Sequence, residues 1–251
     1  MESFLKPFKK LAIRAHNRYE PFVTTYPGFA CSVIDKSSFL AMHGEIFERE
    51  IYRFESKNPQ PVIIDCGANI GLSAVYFKKL FPDAIVTAFE PDPKVFSALE
   101  KNVKAAGLSG VTLVKKGLGK SDAKKSFFSE GADGGRISDG EEGDMISIDV
   151  TRLSPYLQKP VDFLKIDIEG SELEVLEESA GVLGNAANLF VEYHSFASRP
   201  QDLARILEII SAAGFRYYIE SVGIRSEFPF IKREESLDYD LQLNIFCYRK
   251  K

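Results

Sequence analysis

Long apolar runs are missing from this chain of 251 residues. None reaches the ~18 consecutive residues that a membrane-crossing helix needs, so no transmembrane segment is expected. Cysteine is scarce: Cys31, Cys66 and Cys247 are scattered, odd in number and without a C-x-x-C spacing. That excludes a disulfide framework and a cysteine zinc site, and Cys66 reads as a small apolar residue at the end of a strand. An excess of basic charge is absent too. The net charge is −4, whereas a nucleic-acid binder normally carries a basic face, so no nucleic-acid partner is expected. The start Met1-Glu2-Ser3-Phe4 has no apolar signal region, which predicts a cytoplasmic protein. What is present is ordinary globular composition, with 45% hydrophobic and 27% charged residues, enough for a core without disulfides.

From Pro61 onward strand-like and helix-like runs alternate. The strand-like runs are Val62–Asp65, Ile85–Phe89, Val111–Lys115, Val161–Asp167, Leu189–His194, Phe215–Glu220 and Leu241–Tyr248. Apolar residues at three- and four-residue spacing mark helices over Ser73–Phe81, Pro93–Ala106, Ser171–Leu183 and Gln201–Ala213. Pro93 suits a first helical turn, and Gly107 and Gly214 suit helix ends. This alternation predicts a doubly wound, mostly parallel α/β sheet. No helix separates the last two strands, so that pair is expected to be antiparallel. Residues 1–60 stand before the alternation as a helical and strand extension, and residues 61–251 form the core.

The extension opens on a basic amphipathic stretch, with Phe4, Leu5, Phe8 and Leu11 among Lys6, Lys9, Lys10 and Arg14. It reads as a helix packed on the domain with a solvated face, or as one that touches an anionic membrane. Gly44–Phe54 follows, with Ile46, Phe47, Ile51 and Phe54 at helical spacing. A glycine- and serine-rich insert, Gly117–Asp144, is expected to form a mobile loop or hairpin tip, with 129–143 as a lid over the acceptor pocket.

The chemistry concentrates in three places. The first is Asp65-Cys66-Gly67-Ala68-Asn69-Ile70-Gly71, where a strand opens through a glycine turn into a helix. Gly67 allows close approach of a ligand and Gly71 tight packing of helix on strand. Glu90, at the tip of the next strand and about 20 residues on, is placed to accept from a ribose diol. Together they predict an adenosine-type cofactor. A dinucleotide turn wants three glycines so that pyrophosphate sits on the helix N-terminus. This turn has two, behind an acid that repels pyrophosphate and suits a cationic amino group, as in S-adenosylmethionine. An alternative role for Asp65 is a cap of the turn.

The second is Lys165-Ile166-Asp167-Ile168-Glu169-Gly170-Ser171-Glu172. A lysine in an apolar strand needs a paired charge, and Asp167 or Glu169 supplies it. These acids fall beyond a strand's carboxyl end, where ligands of open α/β sheets bind. A purely structural ion pair is the competing reading. The third is Val191-Glu192-Tyr193-His194, in which Glu192 and His194 share a face. His194 is the expected general base, oriented by Glu192 or Asp167, with Lys165 holding the acids. Asp167, Glu169, Glu192 and His194 form an alternative site for a divalent cation such as magnesium or manganese. His16 and His43 lie outside the core and carry no assigned role.

The words VIIDCGANIG (Val62–Gly71), AFEP (Ala88–Pro91), KIDIEGSE (Lys165–Glu172) and VEYH (Val191–His194) in this order resemble the FkbM-type methyltransferases over roughly residues 44–195. The resemblance implies a class I S-adenosylmethionine methyltransferase fold, Rossmann-like, with seven strands and the last one antiparallel. It implies methyl transfer to a hydroxyl of a small molecule, often a sugar or a polyketide-type natural product. By it, Asp65, Gly67, Ala68, Asn69, Gly71, Glu90 and Pro91 would contact the cofactor, and Lys116-Gly117-Leu118-Gly119 would line the adenine. Ile148–Leu153 departs from the family's usual Thr-Leu-Asp, and residues 196–251 carry no family word. A nicotinamide oxidoreductase and a non-enzymatic cofactor-binding protein are the competing functions.

Overall fold

A computed structural model of the chain describes residues 10–128, 135–137, 145–223, 227–231 and 239–249. The alternating patterns become a central sheet whose strands are, in chain order, β3 (Val62–Cys66), β4 (Ile85–Phe89), β5 (Val111–Val114), β10 (Val161–Ile166), β11 (Ala186–Phe196), β12 (Arg216–Ser221) and β13 (Tyr239–Tyr248). Their spatial order is β12-β13-β11-β10-β3-β4-β5. β3, β4, β5, β10 and β11 pair in parallel, while β13 runs antiparallel to both β11 and β12. The expected doubly wound α/β sheet of seven strands with an antiparallel last strand is therefore present. Its strand order turns between β3 and β10, the place where an open sheet leaves a crevice beyond its carboxyl ends.

Alternation along each strand builds two cores. Ile64, Leu164, Leu189 and Val191 face helices α4 (Glu172–Ser179) and α5 (Leu203–Ala212), which supply Val175, Leu176, Ile206 and Ile210. Ile63, Phe163 and Phe190 face the other way, onto Tyr76 and Phe77 of α2 (Leu72–Leu80). The same second core takes Ile13, Tyr26, Cys31, Val33, Phe39, Ile46 and Tyr52 from the segment before β3. Each large side chain fully buried there contributes roughly 1.5–3 kcal/mol, so this segment is part of the sheet's cover. Helix α3 (Pro93–Ala105) is set by its ends: Asp92 accepts from Lys94 N and Val95 N, and Pro93 occupies the first turn.

Two expectations change. The spacing of Ile46, Phe47, Ile51 and Phe54 predicts a helix over Gly44–Phe54, but the helix there is α1, Lys36–His43. Asp35 starts it early by accepting from Ser37 N and Ser38 N. A π-helical turn, Gly44–Glu48, continues it, and Glu50 at φ 53 ends the run, so the remaining apolar residues reach the core from a turn. The insert expected as a mobile loop or hairpin tip joins the strand after it in a second sheet, order β6-β9-β7-β8, of β6 (Gly117–Leu118), β7 (Ala123–Phe128), β8 (Arg136–Ile137) and β9 (Met145–Thr151). Phe127, Ile148 and Val150 give it a small core of its own. The proposed lid over 129–143 lies outside the described residues except at 135–137, and the amphipathic stretch does so through residue 9. Finally, a two-stranded ribbon, β1 (Phe22–Thr24) with β2 (Cys31–Val33), precedes α1. Among the described residues no helix is long and apolar enough to cross a membrane.

Asn102 ties this ribbon to the core. Fully buried on α3, it accepts from Ser32 N at 2.6 Å and donates to Ser32 O at 3.0 Å and to Ile70 O at 2.8 Å. Asn102→Ala strands these groups, at ~1–3 kcal/mol for a buried group left unpaired. A loss of about 2–4 kcal/mol in urea unfolding is expected. A loss below about half a kcal/mol would show that water replaces the amide.

Candidate functional site

The turn between β3 and α2 needs unusual backbone at three places: Gly67 at φ 83, Asn69 at φ 49 and Gly71 at φ 91. A side chain at Gly67 would run into the carbonyl oxygen of Asp167, so only glycine lets the first turn touch the acidic turn after β10. At Gly71 a Cβ would sit 2.6 Å from Leu99 Cδ1, so the close packing there is against helix α3 and not, as expected, of a helix on a strand. Asn69 tolerates the left-handed region because its own side chain accepts from Ile70 N at 2.6 Å. Its backbone N–H donates to Glu90 Oε2 at 3.1 Å, and Asp92 N donates to Glu90 Oε1 at 2.9 Å. Glu90 thus stands fixed at the mouth of β4. Burial pushes its carboxyl up to about 8, against the pull of these two N–H donors.

Lys165 sits in the floor between β3 and β10, 2% exposed. Its ammonium lies 3.3 Å from Asp65 Oδ1 and 3.1 Å from Asp167 Oδ2, and donates to Gly67 O at 2.7 Å. Burial alone would lower its pKa, but Asp167 and Asp65 overcome that and hold it well above its ordinary value. Asp65 is itself fully buried and also accepts from Ser73 Oγ. Deleting one member of such a buried pair typically costs ~3–5 kcal/mol, because the other is left charged and unpaired.

The acidic turn is organised around Glu172. Its Oε1 accepts from Gly170 N at 3.0 Å and from Ile168 N at 3.4 Å, and meets His194 Nδ1 at 3.0 Å. Glu169 is held at φ 54, and its Oε2 accepts from Tyr239 Oη at 2.6 Å. On the other side of His194, Nε2 lies 3.5 Å from Glu169 Oε2, 3.7 Å from Glu192 Oε1 and 3.3 Å from Gln242 Nε2. Gln242 also donates to Glu192 Oε1 at 2.6 Å. Burial lowers the pKa of His194, but Glu169, Glu172 and Glu192 together raise it well above the ordinary value. Burial raises Glu192 to about 8, with Asp167 adding to it. Burial likewise raises Glu169, to about 7, although the neighbouring imidazole pulls it down.

One cavity joins these parts at the carboxyl ends of the strands. Of the expected cofactor residues, Gly67, Ala68, Asn69, Glu90, Pro91 and Gly117 line it, with Lys116 and Leu118 beside them. Asp65 and Gly71 lie outside its lining: Asp65 works through Lys165 and Ser73, and Gly71 through packing. Lys165, Asp167, Glu169 and Glu192 line the other part. His194 was expected to open onto an acceptor. Instead its side chain is 1% exposed and is not in the lining, because three glutamates enclose it. Asp167, Glu192 and His194 do approach within 4.8 Å of one another, the spacing of a cation site, but both imidazole nitrogens already face carboxylates.

Sequence reasoning missed Glu45, Tyr52, Gln242 and Ser38, which complete the wall. They come from the segment before β3 and from β13, where no motif drew attention. Glu172 and Tyr239 were missed as supports. Glu172 was at least visible, as the last acid of KIDIEGSE.

Residues 65–217 match the methyltransferase FkbM domain. Methyltransferase 1 of Beauveria bassiana is 30% identical over 161 residues, covering 54% of this chain and 65% of that protein. The hexuronic acid methyltransferase AglP of Haloferax volcanii is 33% identical over 167 residues, covering 64% of this chain and 67% of that protein. The crystal structure of methyltransferase FkbM from Methylobacillus flagellatus is 21% identical with a TM-score of 0.49, covering 79% of this chain and 46% of that one. The chain thus spans less than two thirds of the length of the Beauveria protein and of the Methylobacillus chain.

Glu90, Glu169 and Glu192 are raised above an ordinary 4.5, and His194 above an ordinary 6.5. The folded chain therefore binds more protons than the unfolded chain, and stability falls as pH rises. The carboxyl contributions are full below 4.5 and are lost as pH climbs to about 7 for Glu169 and about 8 for Glu90 and Glu192. That of His194 is full below 6.5 and fades only towards its higher folded value. The thermal midpoint of the ligand-free protein is expected to fall between about pH 6 and 8.5, less steeply in Glu192→Gln. An unchanged slope in that variant would mean that water already solvates Glu192.

Proposed function

The chain belongs to the FkbM methyltransferase family, and on that premise we propose that it transfers the methyl group of S-adenosylmethionine to a hydroxyl oxygen of a small molecule. The observation that carries the cofactor reading is Glu90, a buried acid at the tip of β4 whose two oxygens are fixed by Asn69 N and Asp92 N and which lines the cavity. It suits a ribose diol, and the glycine turn beside it suits a backbone-hugging nucleoside. Two glycines behind an acid do not suit a pyrophosphate. Glu90, Gly67, Ala68, Asn69, Pro91 and Gly117 would hold the cofactor, with Asp65 acting from beneath. Bound there, S-adenosylmethionine supplies an already activated methyl group.

The protein's own task is then to align an oxygen and receive its proton. Glu192 is the better proton acceptor than His194. It lines the cavity, and its pKa of about 8 is close to the neutral range where a base is most effective. His194 is a positioning residue: as an imidazolium it holds Glu192 and Glu169 apart and anchors the acidic turn through Glu172. Gln242 fixes one oxygen of Glu192 and leaves the other for the acceptor. Hydroxyl transfer is supported by this carboxylate wall. The name of the Haloferax relative, an enzyme of hexuronic acid, agrees with a sugar-like acceptor.

Glu90→Ala removes the buried carboxyl that meets the ribose diol and leaves those hydroxyls unpaired, typically ~1–3 kcal/mol, or roughly five- to hundredfold in affinity. Calorimetric titration with S-adenosylhomocysteine is expected to read that loss, while NAD binds neither protein. Wild-type affinity in Glu90→Ala would remove the ribose assignment.

Glu192→Gln is expected to lower methyl transfer by about 100- to 10,000-fold in a radiolabelled screen of hydroxylated metabolites, with S-adenosylhomocysteine affinity nearly unchanged. The acid limb of its pH–rate profile should also disappear. His194→Gln should lower thermal stability and keep that limb. A limb lost in His194→Gln and kept in Glu192→Gln would return the base to His194.

A further inference from the structure

Adjacent strands lie ~4.8 Å apart, so Glu90 on β4 and Glu192 on β11 stand three spacings, roughly 14 Å, from each other. The ribose end and the carboxylate end of the cavity are therefore separate. At the far end Glu45, Asp167, Glu169 and Glu192 face inward. Among the described lining residues the cations are Lys116 beside Gly117, at the ribose end, and Lys165. Lys165 is shared between Asp65 and Asp167. Arg49 lies 3.7 Å from Glu45 but 2.5 Å from Glu220, its closer partner. His194 stays in the wall behind, bound to Glu172. If Asp167 takes the cofactor's amino group, Glu45, Glu169 and Glu192 remain, three acids that share one imidazolium, that of His194, and one arm of Arg49, and only Glu192 is needed for a proton.

A second observation points the same way. Ser38 lines this cavity at 5% exposure, and its hydroxyl has no hydrogen-bond partner among the described residues. Ser38 and Glu45 lie two helical turns apart on the stretch formed by α1 and the π-helical turn, with Ala41 and Met42 between them in the same lining. A buried polar atom left unpaired at a cavity wall is available to bond a group bound in that cavity.

We propose that the acceptor is a hydroxyl compound carrying a protonated amine, such as an amino sugar or amino alcohol, and that acidic sugars are excluded. This rests on the methyltransferase reading and narrows its substrate class. The ammonium lies against Glu45 and Glu169, placing its neighbouring hydroxyl at Glu192. A carboxylate in the same place meets a cluster of acids, part of which an ammonium would ionise and a carboxylate would not, and no cation among the described lining residues besides Lys116 and Lys165, which opposes its entry. The wall thus differs in what it favours from what the Haloferax relative's name describes.

The test is calorimetric titration of the full chain near neutral pH with three probes: methyl glucoside, methyl glucosaminide and methyl glucuronide. Each is titrated with and without saturating S-adenosylhomocysteine. The glucosaminide is expected to bind at least about tenfold tighter than the glucoside, as one charged hydrogen bond gives, and the glucuronide not measurably. Glu45→Gln, a partly exposed position that should fold normally, is expected to bring the first two within a few-fold and to leave S-adenosylhomocysteine affinity unchanged. Equal affinities, tighter glucuronide binding, no binding by any probe, or an amine preference that survives Glu45→Gln would each overturn the proposal. Failure of S-adenosylhomocysteine to bind would instead remove the methyltransferase reading, while the probe ranking without it still reports the charge of the wall.

Discussion

A single buried ammonium holds the two halves of the site together. Lys165 touches Asp65 of β3, the Gly67 carbonyl of the first turn and Asp167 of the second. An ammonium in an apolar floor is costly to desolvate, and the two carboxylates make it tolerable only in one geometry. Any slip of β10 along β3 would separate charges that water cannot reach. The pairing of Lys165 with Asp65 in register is therefore an electrostatic fact as well as a hydrogen-bonded one.

The contact between the turns follows from that lock. Gly67 approaches Asp167 so closely that no side chain fits between them. Drawing the turns together brings the glycine turn, Glu90 and the acidic turn to one cavity. The chain then accumulates negative charge at one end of it. Part of that charge is carried as bound protons, on Glu169 and Glu192, and part is met by the imidazolium behind them. The protonation of such a wall depends on the charge that enters the cavity.

The segment before β3 has two roles at once. Tyr52 packs on Phe77, Phe163 and Phe190 in the second core, and Tyr52, Ile46, Glu45 and Ser38 complete the cavity. The cavity wall is thereby coupled to the stability of the fold, since the same segment supplies both.

Strand and helix periods, the glycine turn with its following acid, and a lysine that demands partners are local properties of neighbouring residues. The sequence by itself therefore determined the α/β sheet, its antiparallel last strand, the glycine turn and the need for a paired Lys165. Pairings between residues far apart in the chain leave no local trace. That Asp65 joins Lys165, that Glu172 and Tyr239 brace the acidic turn, and that the insert folds as a sheet came only with the tertiary structure. The same holds for His194. Its sequence neighbours suggested a base facing an acceptor, but burial among Glu169, Glu172 and Glu192 decides its charge. That charge depends on three carboxylates delivered by β10–α4 and β11, and distance through space, not along the chain, sets an electrostatic field.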